Sequence, residues 1–122
     1  MPTTLGEILR ELEAVLVIED GPEKADLPID IVYVGDRMSE LLQWASPRAL
    51  IVTRLSGPHL VRLAELLDSP ALCVLGTLVT DSRLIDAARA AGMIVARSAL
   101  DPAAAAARLA PIVETVIGGE AA

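Results

Sequence analysis

Chemistry in a protein chain needs a nucleophile, a proton carrier or a cluster that holds metal, and this sequence supplies few of them. His59 is the only histidine and Cys73 the only cysteine. His59 follows Ser56-Gly57-Pro58, which places it in the first turn of a helix opened by the proline. A general base there needs an orienting partner and a substrate proton within reach. No Ser–His–Asp order with a distinctive spacing surrounds it, and a helix-terminal histidine without a catalytic task is the simpler reading. Cys73 stands between Leu72 and Val74 in an apolar run, the setting of an inert core residue. One histidine, one cysteine and scattered carboxylates make no metal site, and a single cysteine makes no internal disulfide. The phosphate-cradling patterns G-x-x-x-x-G-K-[ST] and G-x-G-x-x-G are both absent, so ATP hydrolysis and classical dinucleotide binding lose support. No cofactor is implied.

The elements that would position any site are plainer. Thr4 with Glu7 three residues on forms a capping-box pattern, and Leu5, Ile8, Leu9 and Leu12 follow as one helical stripe. Val15–Ile18 reads as a strand, followed by a turn-rich loop to Pro28. Ile29–Val34, Ala49–Thr53, Ala71–Leu75 and Met93–Ala96 are further apolar runs of strand length. Between them lie amphipathic stripes: Met38, Leu41, Leu42 and Ala45; then Leu60, Leu63, Ala64 and Leu67; then Leu84, Ala87, Ala88 and Ala91. Asp36, Asp81 and Asp101 stand where N-caps belong, Pro102 in a first helical turn, and Gly92 at a left-handed C-cap. Leu109, Ile112, Val113 and Val116 continue the last helix, and Gly118-Gly119 releases a short tail over 118–122. Apolar strands alternating with helices predict an α/β fold: one three-layer domain over 1–122, with a mainly parallel sheet of about five strands and helices on both faces. The first helix and strand form an edge, antiparallel or not.

In such sheets ligands gather beyond the carboxyl ends of the strands, where helix N-termini present free N–H groups that favour anions. Here those ends are Gly35-Asp36, Thr53-Arg54, Gly76-Thr77 and Arg97-Ser98. The candidate ligand-binding residues are therefore Asp36, Thr53, Arg54, His59 and Thr77, with Arg54 and Arg97 as sources of positive charge. Gly35-Asp36 also reads more simply as a turn glycine and a helix cap. Tyr33 suits core and interface equally, and Trp44 suits an interface. The alanine run Ala103–Ala107 permits close packing against a sheet or a second copy.

Composition narrows the partners. With 53% hydrophobic residues among 122, the chain is not disordered. A net charge of −7 and 2% aromatics argue against binding nucleic acid through phosphates or stacked bases. There is no positively charged signal sequence and no apolar run of spanning length, so a cytoplasmic, membrane-free location is expected.

The stretch Val32-Tyr33-Val34-Gly35-Asp36-Arg37-Met38-Ser39 resembles the Y-V-G-D-x-x-S turn of small DRTGG-type domain proteins, relatives of the N-terminal domain of HPr kinase/phosphorylase. Ala49-Leu50-Ile51-Val52-Thr53 is similar to that family's D-L-W-I-T strand. The helix with His59, Val61 and Ala64 is similar to its H-x-N-I-V-A-V-A start. Ala87–Ala91, Gly92 and Met93–Val95 resemble K-A-x-x-x-G-I-P-L-L. The letters DRTGG are replaced by Leu27-Pro28-Ile29-Asp30-Ile31, and N-G-x-x-P by Gly76-Thr77-Leu78-Val79-Thr80. The resemblance covers residues 4 to 110. It implies an α/β domain without catalytic machinery, of the kind that accompanies enzymes as a regulatory or assembly module and helps form a nucleotide-sensing dimer in some CBS-domain pyrophosphatases. A site role carries over to Asp36, Thr53 and His59.

Three functions follow from this reading. The first is a non-catalytic, ligand-sensing homodimer that takes an adenine nucleotide or small anion at the sheet edge. The second is an assembly protein for a partner enzyme with no small ligand. The third is a small enzyme using His59 and Asp36.

Overall fold

The middle layer follows from the apolar runs. All residues of Ala49–Thr53 (β5) and Ala71–Leu75 (β6) are buried, which requires a sheet covered on both faces. The computed structural model describes residues 3–18, 26–44, 46–55, 57–76 and 81–118. Around β5 and β6 run Ile31–Val34 (β4), Ile94–Ser98 (β7) and Glu114–Ile117 (β8), with Val15–Ile18 (β2) at one edge. The sheet order is β2-β7-β6-β5-β4-β8. Every neighbouring pair is parallel except β2 against β7, so Val15–Ile18, the first strand expected from the sequence, is the antiparallel edge. Thr3–Thr4 (β1) and Pro28–Ile29 (β3) form a separate two-stranded ribbon.

Helices cover both faces. Met38–Trp44 (α2), Pro58–Leu66 (α3) and Ser82–Ala91 (α4) bury Leu41, Leu60, Val61, Ala64, Leu84 and Ala88 against Tyr33, Ile51, Leu72, Val74 and Val95. Leu5–Glu11 (α1) and Pro102–Leu109 (α5) bury Leu5, Ile8, Ala105, Ala106 and Leu109 against Val32, Val34, Leu50, Val52 and Cys73. Each fully buried leucine removes about 1.5–3 kcal/mol worth of apolar surface from water. The caps act locally as the sequence implies. Asp101 accepts the Ala104 N–H at 2.7 Å, Asp81 the Arg83 N–H at 2.9 Å and Thr4 the Glu7 N–H at 3.2 Å. Gly92 closes α4 at φ +68°, a conformation that costs a residue with Cβ about 1–2 kcal/mol.

The C-terminal end corrects the sequence reading. The last helix stops at Leu109 instead of running on through Val116, and a sixth strand follows it. Pro111 has no N–H with which to extend the helical ladder, and the helix ends beside it although Ala110 keeps helical dihedrals. Thr115, Val116 and Ile117 are β-branched and pair in parallel with Val32, Tyr33 and Val34. Gly118, expected in the loose tail, is held: its N–H donates to the Val34 carbonyl at 2.8 Å. Residues 119–122 of that tail lie outside the described residues. Tyr33 is a core residue with no exposed surface, and Trp44 is partly buried against the same cluster. No helix among the described residues is long and apolar enough to cross a membrane.

Candidate functional site

The carboxyl end of β4 turns sharply through Gly35 into α2. Asp36 follows, and its side chain reaches across to the end of β5 instead of capping α2. Its Oδ1 accepts the Thr53 hydroxyl at 3.1 Å and the Arg54 backbone N–H at 2.8 Å. Its Oδ2 accepts the Arg54 Nε–H at 2.7 Å. Thr53 is fully buried and its Oγ1 also accepts the Leu55 N–H at 3.1 Å. The two strand ends are thus stitched by one carboxylate. Burial on its own would raise the Asp36 pKa. The Arg54 backbone N–H, the Arg54 guanidinium and the Thr53 hydroxyl outweigh it and hold the carboxyl below its ordinary range.

Gly35 is required by close approach. A Cβ there would sit 2.5 Å from the Tyr33 hydroxyl oxygen, and one on Gly118 would sit 2.0 Å from it. The buried ring therefore sets the spacing of the β4 turn and the end of β8. The Tyr33 hydroxyl accepts the Arg37 N–H at 3.4 Å. Burial pushes its pKa up from the ordinary tyrosine value, against that hydrogen bond.

Between these strand ends and α5 opens a cleft of about 730 Å³. One wall is the turn Gly35-Asp36-Arg37 together with Arg54. The second is α5, through Pro102, Ala103, Ala106, Ala107 and Ala110, and the third is β8 with Thr115, Ile117 and Gly118. The alanines have a physical consequence: longer side chains on this helix face would fill the space. Arg37 and Arg54 bring positive charge to the mouth, each 62% exposed. Such a volume, mostly apolar with a few convergent polar groups, has the proportions of a small-molecule site.

Asp36, Thr53 and Arg54 are brought together by the fold, with Asp36 and Arg54 lining the cleft. His59 is exposed on the first turn of α3 and is not part of the cleft wall. Thr77 lies outside the described residues, as do residues 78–80. Arg97 is near the end of β7, beyond β6 and β5 from β4. Ser98 beside it is engaged with the C-terminal end of α1, its hydroxyl donating to the Leu12 carbonyl at 2.6 Å. The sequence reading missed Arg37 and the α5 wall. The alanine run was its one visible signal. Among the described residues no group of three His, Cys, Asp or Glu side chains could hold a metal. Cys73 is buried, and burial pushes its thiol up to about 12.

Comparison with known proteins gives a fold. No family model and no curated protein matches the chain. Among solved structures it is similar to the crystal structure of the CBS and DRTGG domains of the regulatory region of Clostridium perfringens pyrophosphatase, complexed with its activator, diadenosine tetraphosphate. The fold is shared. The TM-score is 0.70 at 18% identity, over 92% of this chain and 48% of that one. The chain thus spans about half the length of the structure it resembles.

Proposed function

We propose that this chain is a non-catalytic regulatory module that senses a nucleotide or small anion in the cleft between the β4 turn, α5 and β8. The observation that carries the reading is the cleft itself. It lies at the carboxyl edge of a parallel sheet, where backbone N–H groups and strand ends converge, and it sets two arginines against an alanine-lined wall. The regulatory character is supported by the shared fold with a pyrophosphatase regulatory region that is complexed with an adenine-nucleotide activator. The activity it would govern belongs to a partner enzyme. The lack of a nucleophile–base pair in the sequence fits a role outside catalysis. The working unit is a homodimer, a reading supported by large apolar side chains left on the surface, among them Leu66 at 80% exposure.

Thermal unfolding of the full chain with AMP, ADP, ATP, diadenosine tetraphosphate and pyrophosphate tests this. A ligand present at 100 times its Kd stabilises by about 2.7 kcal/mol. Stabilisation by at least one of these that is lost in Arg54→Gln supports the site. No shift with any of them overturns it. Sedimentation equilibrium decides the dimer separately.

A further inference from the structure

The two oxygens of Asp36 have different tasks. Oδ1 holds the backbone, through the Arg54 N–H at 2.8 Å and the Thr53 hydroxyl at 3.1 Å. Oδ2 holds the Arg54 guanidinium, with Nε at 2.7 Å and Nη2 also within ion-pair distance. Arg54 is thus already occupied by a carboxylate at the mouth of the cleft. Arg37 faces Glu40 one helical turn on, but at 3.7 Å, a looser pair between groups on one short helix end. An anion entering the cleft meets the Arg54 guanidinium with another anion attached.

We propose that Asp36 is a built-in competitor for the ligand at Arg54, so that anion binding proceeds by exchange. The incoming anion takes the guanidinium from Oδ2, while Oδ1 keeps its two donors and the strand ends stay stitched. The departing carboxylate oxygen stands at the open side of the cleft, where water solvates it. The exchange costs the ligand one partly exposed ion pair and leaves no buried charge unpaired. It also sets a threshold: a singly charged anion only replaces like with like, whereas a phosphate or polyphosphate brings more charge and more acceptor oxygens to the guanidinium. The ligand class selected is therefore a phosphate-bearing molecule, at the expense of simple carboxylates. This inference rests on the cleft being the ligand site.

The test is calorimetric titration of the full chain with inorganic pyrophosphate and with acetate. Asp36→Asn keeps an oxygen acceptor for the Arg54 N–H and removes the competing charge. It is expected to bind pyrophosphate about threefold tighter than the unaltered chain, or better, and to bring acetate binding up towards it. Arg54→Gln abolishes the gain in either background. If the unaltered chain binds pyrophosphate through Arg54 and Asp36→Asn binds it equally or less tightly, the exchange is refuted while the cleft assignment stands. If neither the chain nor Asp36→Asn binds any anion, the ligand site itself is wrong and the exchange falls with it. Asp36→Ser, which retains a short acceptor, answers the same question should Asp36→Asn fail to fold.

Discussion

Replacing Gly118 or Gly35 with alanine tests the close packing that shapes the cleft. Both new methyls would meet the Tyr33 ring. At Gly118 the Cβ would lie 2.0 Å from the hydroxyl oxygen and 2.4 Å from ring carbons, against an optimal contact of about 3.5–4.0 Å. Tyr33 cannot retreat, because no part of it is exposed. At Gly118 the strain has an exit. The residue follows the last strand, and it can lift away at the loss of one hydrogen bond, N–H to the Val34 carbonyl at 2.8 Å. That costs about 1 kcal/mol, which for a chain of this size is roughly 4 °C in Tm. Gly35 has no such exit. It is buried between β4 and α2, its N–H donates to the Val52 carbonyl at 3.0 Å, and its Cβ would also lie 2.9 Å from the Gly118 Cα. Overpacking there is expected to cost about 2–3 kcal/mol. Urea unfolding measures both losses, and amide hydrogen exchange at Gly118 reports whether the end of β8 lifts. Gly35→Ala within about 0.5 kcal/mol of the unaltered chain, an error-sized effect for a surface change, refutes the reasoning. So does a larger loss at Gly118 than at Gly35.

Three further outcomes follow. Asp36 has its pKa lowered by folding, so its contribution is present above its ordinary value of 3.8 and is lost as pH falls through the folded value; the stability gap between the chain and Asp36→Asn should be widest near neutrality and close in acid, and a gap that widens in acid contradicts the stitch. Tyr33 has its pKa raised, so its share of stability is whole below pH 10.0 and is lost as pH rises above that; Tyr33→Phe should flatten the alkaline limb of the unfolding curve, and an unchanged limb counts against the buried phenol. Cys73, its thiol pushed up to about 12, should resist a disulfide reagent in the native state and react at the rate of global unfolding; fast native labelling would place it elsewhere than the core.

The parts of this structure that are local were legible in the sequence. Asp101-Pro102, Asp81 and Gly92 act through neighbours two to four residues away, and each sits where its side chain or φ demands. The fully buried β5 and β6 announced themselves as unbroken apolar runs. The last strand did not, because Leu109, Ile112, Val113 and Val116 fall on a helical period as well as any real stripe. Pro111 carried the contrary signal, and the β-branched run after it decides the matter once β4 offers an edge to pair with. The cap reading of Asp36 fails for a related reason. An aspartate after a turn glycine looks like a cap, whereas its actual donors lie at Thr53 and Arg54, a contact that exists only when β4 and β5 are side by side. The cleft is further removed still. It joins a turn after β4, the arginine after β5, a helix face and the terminal strand, and no spacing in the chain encodes that meeting. The alanine run hinted at a surface, and the fold shows that Ala105 packs on the sheet while Ala103, Ala106 and Ala107, with Ala110 beyond the run, line the cleft.

The most direct measurement is a two-dimensional amide NMR titration of the ¹⁵N-labelled chain with pyrophosphate and with AMP. The account predicts saturable shifts concentrated at Gly35, Asp36, Arg54, Ala103, Ala107 and Gly118, with His59 and Arg97 unmoved. Shifts centred on the ends of β6 and β7, or none at millimolar ligand, would contradict it.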